Sequence, residues 1–190
     1  MKVTRSIGLM VAALVFLMDQ LSKLYAVSAL GVDHKLVAQA LKAGYPPDIP
    51  PQTLLPIFDL RFVPNIGVSL GLLQANSETM RWGLVALTAV IAAGVSWWMI
   101  REKKLGDVVA LGLVLGGAIG NILDRVRFGY VVDFADLHFG SWRPFLVFNV
   151  ADAAITIGVL ILLIRALLMR DRPGAAANSE PDQVERNVNA

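Results

Sequence analysis

The chain has 190 residues, of which 56% are hydrophobic and only 17% charged, and its formal charge is +2. A soluble chain of this size has too little interior for so much apolar surface, and its charge forms no basic face for nucleic acid. With no cysteine present, disulfides, thiol catalysis and zinc–thiolate sites are excluded too.

The pattern predicts an all-α membrane protein with four transmembrane helices, each of about 20 residues. The first apolar stretch covers 7–30, with Lys2 and Arg5 close to its start. A basic start and an apolar run resemble a cleavable signal peptide. However, Asp19, Gln20, Ser22 and Lys23 lie between the run and any cleavage site near Ala26-Val27-Ser28, so the segment is expected to remain. Asp19 and Lys23 stand at i, i+4 and share a helix face. Each costs about 2.5–3.5 kcal/mol in hydrocarbon, which pairing lowers. The pair either braces the bundle or orients a substrate, and both readings stay open.

Residues 31–81 are expected outside the bilayer. They begin with the proline-rich run Tyr45-Pro46-Pro47-Asp48-Ile49-Pro50-Pro51. Alternation from Ile57 to Val63 then favours short strands and a small sheet. The second stretch covers 82–100. The third, 108–123, is short and can extend to 126. Its Gly112, Gly116 and Gly120 allow close helix approach and make it central. The fourth covers 150–169. A single four-helix domain over 1–170 follows, with 31–81 as its insertion. Residues 171–190, rich in Ala, Asn, Pro and charge, are expected to be disordered.

Basic residues set the orientation. Lys2 and Arg5, then Arg101, Lys103 and Lys104, then Arg165, Arg170 and Arg172 fall on one side of a four-pass chain. That side, with both termini, is predicted to be cytoplasmic. The outer side still carries Arg125, Arg127 and Arg143. Trp82, Trp97, Trp98 and Trp142 lie near predicted helix ends, as interfacial aromatics do.

Two helix ends on the outer side carry paired polar residues. Asn121 and Asp124 stand at i, i+3 in the third helix, and Asn149 and Asp152 repeat the spacing at the start of the fourth. Asp133 lies between them. Two facing carboxylates can hydrolyse a peptide without a metal, one ionised to activate water and one protonated to donate to the carbonyl. Asp124, beside Arg125, is expected to cap a helix or pair with Arg125, Arg127 or Arg143. Asp133 and Asp152 are the candidate catalytic pair.

These residues fall into four motifs: Asp19-Gln20-Leu21-Ser22-Lys23; Asn65-x-Gly67; Gly117-Ala118-x-Gly120-Asn121-x-x-Asp124-Arg125 with Gly129-x-Val131-x-Asp133-Phe134; and Phe148-Asn149-x-Ala151-Asp152. Together and in this order they resemble the lipoprotein signal peptidases (signal peptidase II) of bacteria. The resemblance runs from the first helix to the fourth. It implies an intramembrane aspartic endopeptidase of the inner membrane, with an extracytoplasmic β-cradle and a short, half-embedded amphipathic helix. It implies a substrate too, a prolipoprotein cut just before a cysteine that already carries diacylglycerol. Asp133 and Asp152 match the family's catalytic pair. Asp19, Lys23, Asn65, Asn121, Asp124, Arg125 and Asn149 match other site positions, which orient substrate or brace the site. The antibiotic globomycin is expected to occupy the same site. No cofactor or metal is expected, the partners are the lipid-modified substrate and membrane lipid, and the chain is expected to be a monomer. Two features depart from the family pattern: the run Gly67-Val68-Ser69-Leu70-Gly71 and the length of 32–56. Both bear on substrate preference.

Rival chemistry is weaker. Gly67-Val68-Ser69-Leu70-Gly71 fits a Gly-x-Ser-x-Gly elbow, which needs a histidine base. Only His34 and His138 exist, in no recognisable triad. Ser22 and Lys23 point about 100° apart on a helix, so they form no dyad. A small transporter could use Asp19, Lys23 and Asp152 as a proton relay, yet no repeat is visible. A non-catalytic membrane scaffold would explain the glycines but leave the carboxylates without a purpose.

Overall fold

The structure is a computed structural model of the chain and describes residues 2–45, 47–67 and 78–170. The Ser69 elbow and the 171–190 tail lie outside the described residues. In chain order the elements are α1 (Lys2–Ala29), α2 (His34–Lys42), β1 (Gln52–Leu55), β2 (Phe58–Asn65), α3 (Glu78–Arg101), α4 (Leu105–Phe128), β3 (Val131–Leu137) and α5 (Val150–Arg170). Of these, α1, α3, α4 and α5 are long and apolar enough to cross a membrane. The protein is a mostly helical membrane protein with one small sheet.

The hub is α4. Its most apolar window is 61% buried, against 28% for α1 and 17% for α3 and α5. It packs on α1, α3 and α5, whereas α1 meets α3 only marginally. Small residues make this possible. A β-carbon at Gly117 would lie 2.5 Å from the Ala151 carbonyl of α5, and one at Gly116 would overlap the Ala12 carbonyl of α1. Backbones this close leave no room for a side chain. The helix runs further than its apolar run, from Leu105 through Asp124 to Phe128. It stops at Gly129, whose φ of 87° is left-handed and whose N–H donates to Arg125 O at 3.1 Å. Glycine is the residue that takes this C-terminal cap without strain.

The sheet is antiparallel, in the order β1-β2-β3. It is wider than the alternation of 57–63 suggested, because β3 supplies a third strand. Asp59 pairs with Asp136 and Leu60 with Ala135, and then Val63 pairs with Asp133 and Asn65 with Val131. Three steps along β2 match two along β3, so β2 holds one extra residue, a bulge. Ala135 also bridges Phe148, which ties β3 to the start of α5. Leu60, Phe62, Tyr130, Val132 and Phe134 pack with Ala26 of α1 and Val37 of α2. This cluster seats the sheet on the helix ends. The N-terminus of α2 is capped by Asp33, whose Oδ1 accepts from Lys35 N at 2.7 Å and Leu36 N at 3.3 Å. That cap, just before an amphipathic run, is how the nine-residue helix begins inside the long 32–56 segment.

Candidate active site

The start of α5 is a reciprocal cap. Asn149 precedes the first helical residue and its Oδ1 accepts from Asp152 N at 2.9 Å, while Asn149 N donates to Asp152 Oδ2 at 3.3 Å. This is the capping-box arrangement, with asparagine and aspartate in the two roles. The cap fixes the Asp152 carboxylate and leaves the Asn149 amide free to reach outward. Asn149 Nδ2 donates to Asp133 Oδ1 at 2.6 Å and lies near Asn121 Oδ1 and Val132 O, at 3.3 and 3.4 Å. Asn121 Nδ2 donates to Asp152 Oδ1 at 2.9 Å.

The other side of Asp133 is held from β2. Asn65 Nδ2 donates to Asp133 Oδ2 at 3.0 Å. Its own Oδ1 accepts from Gly67 N at 2.9 Å, which fixes the way the amide points. Gly67 is left-handed, with φ 95°, and a β-carbon there would meet Leu84 Cδ1 at 2.5 Å. Both facts demand glycine. Asp133 is 2% exposed. Burial above all, then the charge of Asp152, pushes its carboxyl up to about 7 from an ordinary 3.8, against the Asn65 and Asn149 bonds and the charge of Lys23. Asp152 is half-buried. Among the described residues, neither aspartate has a cation within ion-pair distance.

A second cluster lies directly beneath. Lys23 Nζ is 2.8 Å from Asp19 Oδ2, 2.8 Å from Asp124 Oδ2 and 3.0 Å from Asn121 Oδ1. All four residues are buried. Asp19 Oδ1 also accepts from Ala151 N at 2.9 Å, and Asp124 Oδ2 from Val132 N at 3.1 Å. These carboxylates therefore tie α1 to α5 and α4 to β3. Gly120 is part of the fit, since a β-carbon there would overlap the Asp19 carboxylate.

The structure thus brings Asp19, Lys23, Asn65, Asn121, Asp124, Asp133, Asn149 and Asp152 together. Asp124 differs from expectation: its partner is Lys23 of α1, not an arginine. Arg125 is the next helical residue and points about 100° away, with Nη1 3.5 Å from Asn121 O and Nε without a hydrogen-bond partner. Arg143 is engaged with Asp136 at the other end of the sheet. Sequence reasoning missed Gln20, whose Nε2 lies 3.1 Å from both Asp124 Oδ1 and Asp19 Oδ2. An amide inside an apolar span was the available signal. Arg81 was missed too. Its Nε and Nη2 donate to Arg125 O and Val126 O at 2.8 and 2.6 Å, closing the last turn of α4 from α3.

Known proteins are similar to this chain. Residues 11–168 match the family described as signal peptidase (SPase) II. A lipoprotein signal peptidase of Rhizorhabdus wittichii is 55% identical over 92% of this chain and 93% of its own length. One from Sphingopyxis alaskensis is 49% identical over 89% and 90%. A solved bacterial membrane enzyme, 27% identical, has a TM-score of 0.64 over 87% of this chain and 94% of its own. A family match over all four long helices, with such relatives across nine-tenths of the sequence, makes the conclusion direct: the chain belongs to the signal peptidase II family of aspartic peptidases.

Proposed function

We propose that Asp133 and Asp152 together hydrolyse the peptide bond that joins a prolipoprotein to its signal peptide. The chain is a lipoprotein signal peptidase by family, and the reaction it catalyses removes signal peptides from prolipoproteins. One observation carries the residue assignment: β3 and α5 each bring one carboxylate to a shared set of asparagine amides, with no cation of the described residues within ion-pair distance. Such a pair holds one proton between two sites. Asp133, buried and pushed up to about 7, is the acid. Asp152 receives an amide N–H and a backbone N–H and is the base. Asp152 takes a proton from water as its oxygen attacks the scissile carbonyl. Asp133 gives its proton to the carbonyl oxygen, forming a tetrahedral diol. Collapse breaks the C–N bond, one diol proton returns to Asp133, and the proton held by Asp152 passes to the leaving amine.

Asn65, Asn121 and Asn149 hold the pair in place, and Asp19, Lys23 and Asp124 brace the helices beneath it. Arg125, with its unpartnered Nε, faces the reaction side and orients substrate. The chain is a multi-pass protein of a bacterial membrane. The basic clusters around Arg5, Arg101 to Lys104 and Arg165 favour cytoplasmic termini, which sets the site near the outer face, with the sheet as an extracytoplasmic cradle. The substrate is a precursor whose cysteine carries diacylglycerol, cut just before that cysteine by a monomer working in lipid. The test uses purified protein and a diacylated precursor. Wild type should cleave it, Asp152→Asn should not while remaining folded, and an unlipidated precursor should be processed poorly. Turnover by Asp152→Asn defeats the residue assignment, and equal rates on both precursors defeat the lipid requirement.

A further inference from the structure

We infer that the ion pair between Arg61 and Asp136 is a positioning device for the reaction: it holds the β2 bulge that turns the Asn65 amide toward Asp133. The argument starts from the strand register. With Asp59 opposite Asp136 and Leu60 opposite Ala135, an unbroken ladder would set Phe62 opposite Asp133 and Pro64 opposite Val131. Asn65 would then point to the other face of the sheet, because a one-residue slip reverses every side chain. Instead Val63 lies opposite Asp133 and Asn65 opposite Val131. Asn65 and Asp133 are therefore diagonal neighbours on one face, and the 3.0 Å bond between them can form. The extra residue in β2 supplies the reversal.

A bulge interrupts the ladder and needs side chains to hold it. Its two residues, Arg61 and Phe62, fall on one face by this register, that of Val132 and Asp136, and each has its own anchor. Phe62 enters the core beneath the sheet, 6.1 Å edge-on from Tyr130. Arg61 is held further along that face, its Nε 2.9 Å from Asp136 Oδ2, close as an ion pair though off the hydrogen-bond axis. Asp136 is 2% exposed and also binds Arg143. Around it, Asp59 accepts from the Thr53 hydroxyl at 2.8 Å and lies 3.5 Å from Arg143 and 3.3 Å from His138. The Thr53 bond first, then His138 and Arg143, keep the Asp59 carboxyl below its ordinary range. The charge cluster thus sits on the Asp59–Asp136 pair, with the Leu60–Ala135 pair between it and the bulge. Pro64 just beyond has no N–H to donate, and it is tolerated because the pairing of β1 ends at Leu60.

The register can be read without activity, because the chain has no cysteine. In a Pro64→Cys/Val132→Cys variant the two positions are cross-strand partners, within reach of a disulfide. Mild oxidation should cross-link it. Adding Arg61→Ala should lower the yield about fivefold or more, since a slipped strand sets residue 63 opposite 132. Asp136→Asn should act likewise, and Arg61→Lys should restore most of the yield. An unchanged yield in Arg61→Ala and Asp136→Asn overturns the inference.

The kinetic test rests on the assignment of Asp133 made above. Asp133 is faced by Asp152 of α5, Lys23 of α1 and Arg125 of α4 besides its two asparagines. Loss of the Asn65 N–H removes a donor that favours the ionised form, so the alkaline limb of the rate should move to higher pH. Arg61→Ala should reproduce that movement, lower kcat about tenfold, the size of one charge-assisted hydrogen bond, and leave KM within about twofold. In an Asn65→Ala background it should do nothing further. Equal losses in both backgrounds, or a lowered kcat with an unmoved limb, overturn the inference. Activity in Asp133→Asn would instead sink the catalytic assignment, and the cross-link would still decide the role of the bulge.

Discussion

Two pairs of aspartates lie close together, and they differ in what holds them. Asp19 and Asp124 flank the single ammonium of Lys23, at 2.8 Å each. Asp133 and Asp152 are held by Asn65, Asn121, Asn149 and backbone N–H. Asn121 joins the two regions, accepting from Lys23 on its oxygen and donating to Asp152 through its nitrogen. A cation fixed between two buried carboxylates ties them to itself and turns them into structure. An amide fixes a carboxylate in place without adding charge, so the proton stays negotiable. On the proposed assignment, one residue type serves as a brace or a proton carrier according to its partner.

The sharpest way to break this contrast is to neutralise each region in turn. Asp133→Asn or Asp152→Asn should lower the cleavage rate by about 10²–10⁴-fold or more, the worth of general acid–base catalysis. Stability should move the other way for Asp133→Asn. Burial raises the Asp133 carboxyl from 3.8 to about 7, so the native state binds its proton more tightly than the unfolded chain. The stability this gives is complete below about pH 4 and lost as pH rises through about 7. Asparagine removes that loss, so the variant should exceed wild type at pH 8 by an amount on the order of 1–4 kcal/mol. Melting curves at pH 5 and pH 8 should show the gap between the two conditions shrink. Wild-type turnover should decline as pH rises through about 7.

Lys23→Met should do the reverse in the brace. It leaves two buried carboxylates without a cation and should cost about 3–5 kcal/mol, with activity lost alongside. If denaturation finds this variant as stable as wild type, the two regions are not different in kind. Asn149→Ala probes the border. It removes a helix cap, worth about 1 kcal/mol, and a bond to Asp133, so cleavage should slow about tenfold while the melt shifts modestly. Ser69→Ala tests the rival serine chemistry, and its rate should stay within about twofold of wild type, as neutral substitutions do. A total loss in a folded Ser69→Ala protein would revive serine chemistry.

The four long helices were legible because each is an apolar run flanked by charge. Their ends were less so: α4 continues from Leu105 to Phe128, through polar residues that burial in the hub makes acceptable. The third strand was not legible. Val131 to Ala135, with Asp136, is buried throughout, so it lacks the alternation that marks a half-exposed strand. Asp133 and Asp152 could be singled out by position and by resemblance to a family. The partner of Asp124 could not, because Lys23 lies on α1 and meets it only through packing. Nor could the bulge, whose register depends on which residue of β3 each residue of β2 meets. The start of α2 could have been read, since Asp33 precedes an amphipathic run and is a good N-cap.

The glycines of α4 have a mechanical consequence. Where Gly116 and Gly117 bring main chain against main chain on α1 and α5, no flexible side-chain layer lies between the helices to absorb a displacement. Such contacts resist compression in the way a seated joint does. The membrane around the protein is fluid, yet Asn121 and Asp124, which hold partners on three other elements, are mounted on a spindle with almost no play.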